Sequence, residues 1–319
     1  KSRNGNRFEY FNRQIMKVFL IIFLLPIFFF SQSTKVYFHR ENDSTISYRD
    51  ENNNYIIKPF VTKGFLDDEG AFNNEILGNF FYINPKNESQ HAVNRKGDFL
   101  FYPYFFDNGP DYLKENYFRI QDEKGKVGFA NSDGEITIKP QYDYASSFVM
   151  GFSSYCNGCY LDRTKDPEHP PLVGGKWGFI DKFGKEITTT NSPKGKNDFK
   201  TENGKFIPYQ FVYSNNEKSI LKKLAKYKKG ICANNIFGDG KINFEIIDRP
   251  SEAKPFYFIK IYRKDQPYYY STDNDDAEGF NFFIDKNQNI FVNHLISNDG
   301  GKNYQNSYLK IEDWIKSEK

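Results

Sequence analysis

The feature that most restricts how this chain can fold is a repeat written into it. Gly125, Lys126, Val127, Gly128, Phe129, Ala130, Asn131 and Gly134 align without gaps on Gly175, Lys176, Trp177, Gly178, Phe179, Ile180, Asp181 and Gly184, giving the pattern G-K-x-G-F-x-[ND]-x-x-G. The stretch after the turn brings in two more copies. Phe129, Asn131, Gly134, Ile138, Lys139 and Pro140 align on Tyr48, Asp50, Asn53, Ile57, Lys58 and Pro59, and also on Ala92, Asn94, Gly97, Phe101, Tyr102 and Pro103. In each copy an apolar run reaches an Asn or Asp, whose side chain bonds readily to backbone two residues on. Gly follows, or Asn53 in its place, and tolerates the positive φ that reverses the chain. A second run then reaches a Pro, which lacks the N–H that a ladder needs and so ends a strand or marks an edge. Each copy reads as a β-hairpin. One hairpin cannot bury its apolar face alone, so neighbouring copies should stack, with Trp177, Phe129, Phe179, Tyr142 and Phe148 as core. Truncating a core Trp177 to Ala should cost about 3–5 kcal/mol. The turn positions 53, 97, 134 and 184 lie 44, 37 and 50 residues apart, which makes the array irregular. Leu161 to Val173, rich in Pro and charge, reads as an inserted surface loop.

These residues resemble the WG-repeat family, whose Trp-Gly pair stands here once, as Trp177 and Gly178. Gly175 to Gly184 and Ile138 to Phe148 are the nearest to the family's wording, and the resemblance runs over roughly residues 45–190. It departs at Ser47 and His91, which replace a Gly, and at Thr190, which replaces the Pro. The resemblance implies β-hairpin repeats in a solenoid-like or propeller-like array, often in exported bacterial proteins, with no established catalytic residues. It makes Gly97, Gly128, Phe129, Gly134, Pro140, Trp177, Gly178, Phe179 and Gly184 the structural positions of the repeat.

Ahead of the repeats, Met16 and Lys17 precede a 13-residue apolar run, Val18 to Phe30. That length suits a signal-peptide core and falls short of the ~20 residues that span a bilayer. Residues 1–15 are read as untranslated leader and 16–31 as a signal peptide cleaved after Ser31, so the protein is expected outside the cytoplasm: periplasmic, on the cell surface or secreted. Residues 1–31 hold five of the 44 Lys and Arg and one of the 41 Asp and Glu, which leaves 39 against 40. Such a balance has no basic footprint for a phosphate backbone, so nucleic acid is not the expected partner, and no stable membrane span is expected in the mature chain. The 34 Phe and 23 Tyr suit pleated, half-buried surfaces and argue for a mainly β fold. The expected domains are a repeat domain over 32–200 and a small α+β domain over 206–319. The latter reads as an amphipathic helix over Glu217–Lys229 capped by Asn215 or Asn216, then strands at Lys241–Ile247, Pro255–Tyr262, Pro267–Ser271, Gly279–Asp285 and Ile290–Ile296, and a last short helix at Ile311–Lys316. One helix followed by an antiparallel sheet suggests a cystatin-like arrangement. Phe283, Ile284, Asp285 and Lys286 echo the repeat turn, but Gln288 stands where Gly is wanted and the echo is read as chance.

Cys156 and Cys159 form a C-x-x-C in what reads as a repeat-edge loop. Disulfide, inert thiols, metal and redox chemistry all stay open, with export favouring the disulfide; a zinc site would have to recruit Cys232 and His169. Cys232 otherwise reads as a buried, unpaired thiol. Asp273 to Gly279 is acidic but fails the EF-hand spacing, and Gly238, Asp239, Gly240 is a turn rather than a phosphate loop. His39, His91, His169 and His294 are far apart, and no hydrolase, zinc-protease or P-loop signature is present. No cofactor is expected. The sequence supports a non-catalytic binding or scaffold module for a protein or a cell-envelope glycan. The rival readings are an envelope-polymer-processing enzyme with a site between the two domains, and an inhibitor or protective partner.

Overall fold

The computed structural model describes residues 34–63, 75–76, 78–106, 109–233, 242–251, 254–263, 281–297 and 304–317. The leader, the signal peptide, the strand Pro267–Ser271, the acidic loop and the Gly238–Gly240 turn lie outside them. Within them the chain is mainly β, with antiparallel sheets and few helices.

The hairpins read from the sequence are each preceded by a further strand, so the units are three-stranded meanders. The first is β1 (Val36–Arg40), β2 (Thr45–Asp50) and β3 (Tyr55–Val61), with β4 (Glu75–Ile76) beside β1. The second is β5 (Phe80–Ile83), β6 (His91–Asn94) and β7 (Phe99–Pro103), followed by a small hairpin, β8 (Phe105–Phe106) and β9 (Gly109–Pro110). The third is β10 (Tyr117–Gln121), β11 (Val127–Asn131) and β12 (Ile136–Tyr142), and it joins the second in one six-stranded sheet through β7 and β10. The fourth is β13 (Tyr144–Ala145), β14 (Phe152–Leu161) and β15 (Leu172–Asp181). After β15 the chain makes only a bridge from Glu186 to Ile180 in place of a full strand. A small hairpin, β16 (Phe199–Lys200) and β17 (Phe206–Ile207), straddles the expected domain boundary.

Among the described residues one turn recurs six times, at Asp50, Asn94, Asp122, Asn131, Asp181 and Asp285. The residue's N–H donates to the carbonyl four residues on, its carbonyl accepts from the N–H three residues on, and its side-chain oxygen accepts from the N–H groups two and four residues on. The third residue after it is left-handed in every case: Asn53, Gly97, Gly125, Gly134, Gly184 and Gln288. The echo at Asp285 thus adopts the same turn geometry, with Gln288 at φ 60°, a conformation open to a non-glycine residue at some cost in strain.

The buried apolar side chains fall into cores that follow one another along the chain. Val36, Ile46 and Tyr48 of the first unit pack with Phe81, Ile83 and Val93 of the second. Ala92 and Phe101 of the second pack with Phe118, Ile120 and Ala130 of the third. Phe129, Ile138 and Tyr142 of the third pack with Phe148, Tyr155 and Ile180. Strand β11 shows how one strand serves two cores: Val127 and Phe129 point into one and Ala130 into the other, as the two-residue period requires.

Two expected core positions, Trp177 and Phe179, behave differently from the reading. Trp177 is not core: it is 47% exposed. Directly opposite it on β14 is Cys156, and the short β13 ends at that level, so no further strand covers this end of the hairpin. Pro140 marks an edge, as its missing N–H allows: it lies inside β12, the outer strand of its sheet. Phe179 is half-buried beside Phe152 rather than central. Gly128 is needed for close approach, since an added Cβ would meet the Ile138 carbonyl and Pro140 nitrogen of β12, and Gly178 lies under the ring of Tyr155. The turn glycines Gly97 and Gly184 sit over Ile57 and Ile138, equivalent positions of the preceding unit, while Gly134 sits over Phe80.

The C-terminal part holds α1 (Asn215–Ala225), α2 (Lys228–Ala233), the sheet β18 (Ile242–Asp248), β19 (Tyr257–Arg263), β20 (Asn281–Ile284), β21 (Ile290–Ser297), β22 (Tyr304–Lys310), paired in that order, and α3 (Ile311–Ser317). The cap of α1 is Ser214, not Asn215 or Asn216, because Glu217 three residues on completes a capping box with it. The helix stops at Ala225 rather than Lys229. One face of the sheet, with Ile246, Ile259, Phe282, Ile284 and Val292, packs on Ile220 and Leu224 of α1 and Trp314 of α3.

Gly134 combines φ 83° with a neighbour that leaves no room for a Cβ, the Phe80 ring, whereas Gly125 at φ 75° faces open space. Urea titration should show Gly134→Val destabilising by about 2–4 kcal/mol and Gly125→Ala by about 1 kcal/mol. Equal losses would mean that packing over Phe80 contributes nothing.

Candidate functional site

A two-residue turn of one type leads into β10 and another into β14. Lys114 and Tyr117 exchange both backbone hydrogen bonds around Glu115 and Asn116, and Val149 and Phe152 do so around Met150 and Gly151. All four central residues have positive φ, 51° at Glu115 and 69° at Asn116. Such turns ordinarily take Asn-Gly, so a Glu here points to a role for its side chain. Glu115 is buried, and its carboxylate accepts the Gly151 N–H at 3.0 Å and the Tyr262 hydroxyl of β19, with Lys182 Nζ at 3.3 Å. Asn116 turns the other way and donates to Asp248 Oδ2 of β18 at 3.1 Å. One tight turn therefore fastens the repeats to the C-terminal sheet twice.

Beside this joint lies a second buried carboxylate. Glu245 is 2% exposed and accepts from the hydroxyls of Tyr209 and Tyr213, on the segment leading into α1. Burial pushes its pKa up to about 7; the two tyrosine hydrogen bonds work against that rise and Glu115 adds to it. Both tyrosines are pushed upward in turn, by burial first and then by the carboxylate. Both hydroxyls are engaged with the one carboxylate, so the cluster ties the segment before α1 to β18.

The joint covers only part of the sheet face turned toward the repeats. Across β18 to β22, Asp248, Phe258, Phe283, Phe291 and Lys310 stand directly opposite one another and so project from one face. Over this row opens a cleft of about 660 Å³, floored by Phe258, Phe283, Phe291 and Tyr308 and bounded on the repeat side by Leu113, Asn116 and Ser132. The rings meet edge to face, Phe258 with Phe283 and Phe283 with Tyr308 at 5.2 Å between centroids in both cases. Tyr308 and Phe256 remain largely exposed. At one end Lys254 reaches back to Asp133 at 3.0 Å and Ser132 Oγ at 2.6 Å. Asp285 keeps its carboxyl below the ordinary range: burial works against this, and hydrogen bonds from Asn289 and Asn287 outweigh it.

The residues singled out from the sequence do not gather here. Cys156 and Cys159 lie within β14, not in a loop, and are joined as a disulfide with Cα atoms 6.0 Å apart; the extended pairing of β14 with β15 carries both cysteines into the hairpin. Gly175 of β15 passes so close that an added Cβ would strike Cys156 Sγ. Trp177 flanks this disulfide, with its Nε1–H donated to the Gly174 carbonyl at 2.9 Å and its ring 5.8 Å from Tyr144. Cys232 is buried in the C-terminal core. The loop between β14 and β15 is 162–171, shorter than expected at both ends, and holds His169; His91 packs against Phe99 and Tyr102. Among the described residues no three His, Cys, Asp or Glu side chains come together as metal ligands, and no helix is long and apolar enough to cross a membrane. No protein-family model matches the chain, and no curated protein matches it.

Sequence reasoning missed the cleft, although a signal was present. Phe282, Phe283 and Ile284, then Ile290, Phe291 and Val292, are consecutive apolar residues, which marks strands that are apolar on both faces.

Two measurements check these placements. The folded protein retains the Glu245 proton up to about pH 7, whereas the unfolded chain releases it near the ordinary 4.5. The stability it contributes is full below that lower value and is lost as pH rises to about 7, on the order of 3 kcal/mol in all. Denaturant titrations of Glu245→Gln should lack this fall between pH 4.5 and 7; a slope matching the parent's would rule it out. Of the two tryptophans, Trp177 is exposed and Trp314 buried. Acrylamide should quench one emission component, Trp177→Ala should remove it, and that substitution should cost under about 1 kcal/mol. A loss of 3 kcal/mol or more would restore Trp177 to the core.

Proposed function

We propose that this is an exported, non-catalytic binding module in which degenerate WG-type units, stacked in a solenoid-like series, and a C-terminal α+β domain hold a ligand between them. The observation that carries the reading is the aromatic cleft at the junction. A contiguous row of half-buried Phe rings is costly to leave in water, at roughly 25 cal/mol per Å² of apolar surface, and concave, mostly apolar sites with a few polar groups are where small ligands bind. The serial cores support the repeat reading, because each unit is completed by its neighbour. The exposed Trp177 and the half-buried Tyr144 beside the disulfide offer a second, flatter surface on which an envelope protein or glycan could rest.

The neutral fluorescent probe N-phenyl-1-naphthylamine should bind one equivalent with a rise in emission. Phe283→Ala and Leu113→Asn, on opposite walls, should each weaken it by about tenfold. Binding untouched by both substitutions would place the probe elsewhere and defeat the reading.

A further inference from the structure

Resting on that reading of the cleft, we infer that its ligand is an organic cation: an alkyl- or aryl-substituted ammonium seated at Asp248, with its apolar body over Phe258, Phe283 and Phe291. The walls and the charges agree. Aromatic faces carry negative potential and attract cations, most strongly where water is excluded. Asp248 stands at the end of the ring row, next to Phe258 in the register. Its Oδ2 accepts one hydrogen bond from Asn116 and its Oδ1 one from the Arg249 N–H. A carboxylate has room for about four such bonds, so each oxygen can take another donor.

The other two charged residues that line the cleft, Lys254 and Asp285, are already matched, and Lys310 stands at the far end of the row, four strands from Asp248. The Lys254 ammonium is paired with Asp133 and bonded to Ser132. The Asp285 carboxylate closes its own turn and has Lys223 behind it, where that lysine donates to the Gln288 carbonyl. The Arg249 guanidinium points away, to Glu217 and the Val212 carbonyl. A carboxylate or phosphate ligand would thus meet Asp248 with the nearest cation already taken. An ammonium meets a carboxylate with free lone pairs and a floor of ring faces. The volume, about 660 Å³, suits a whole small molecule rather than a lipid headgroup reached from a bilayer.

The test is displacement of bound N-phenyl-1-naphthylamine from the full chain. Benzylammonium, which has N–H groups to donate, should displace it, and benzenesulfonate at the same concentration should not. Asp248→Asn should weaken the cation by about tenfold while leaving the affinity for the neutral probe within twofold, which shows that the cleft still folds. Equal competition by the sulfonate, or an unchanged cation affinity in Asp248→Asn, overturns the assignment. So does retention on phosphatidylcholine vesicles without displacement by the free cation, which moves the site to a membrane surface. Probe binding with no displacement by any cation defeats the cation while the cleft stands, whereas no probe binding at all defeats the cleft itself.

Discussion

A side-chain oxygen aimed at two backbone N–H groups holds every unit of this fold in shape. At Asp50, Asn94, Asp122, Asn131 and Asp181 the Asx side chain takes up donors that the turn would otherwise leave to water, and it fixes the loop length between paired strands. Loop length in turn fixes register. Because side chains alternate with a period of two, a slip of one residue would exchange the two faces of the strand. In β11 that exchange would pull Phe129 out of one core and Ala130 out of the other. The turns thus decide which residues meet, and the hydrophobic effect then stabilises the result.

Cores shared by successive units follow from this. A three-stranded meander has two faces and too little apolar surface to bury both alone, so each unit rests on the next. The fourth unit passes this requirement on: Val149 and Phe152 are buried with Ile207, Ile247 and Tyr262, so the C-terminal sheet covers the end of the series as a cap would. The sheet extends beyond what it covers. The side near Tyr262 and Glu245 is sealed by the joint, and the side with Phe283, Phe291 and Tyr308 is left as the cleft. The cleft and the packing of the C-terminal sheet on the repeats are two parts of one sheet face.

How much of this could be read from the chain depends on range. Hairpins, turn residues and the edge strand at Pro140 are decided within about ten residues and are legible in the sequence, whereas the C-x-x-C alone leaves disulfide, thiol, metal and redox readings open. Ser214 was also within reach, since Ser-x-x-Glu is a local signal stronger than a neighbouring Asn. Trp177 was not. Its place in the repeat pattern matches a core position, but its exposure depends on β13 reaching no further than Tyr144, opposite Cys156, which Trp177 does not encode. The cleft was half legible: strands apolar on both faces announce a second buried or binding surface, but which part stays uncovered is set by where the third and fourth units dock, more than a hundred residues away in sequence.

Glu115 shows the same dependence from the other side. By its own preference a left-handed two-residue turn takes Asn or Gly, and a Glu at φ 51° costs on the order of 1 kcal/mol or more. A buried carboxylate is costlier still unless it is fully bonded. Both costs are met only when Gly151, Lys182 and Tyr262 are in place together, and those residues come from the next turn of the repeat, the end of its hairpin and the C-terminal sheet. Glu115 is therefore a poor choice for its own turn and a good one for the assembled joint. The strain at the turn and the burial of the charge make sense only if the repeats and the C-terminal domain are selected as a single unit, with Asn116 on the same turn holding Asp248 at the mouth of the cleft. The shape of the cleft is thus tied to the turn that locks the two parts of the chain together.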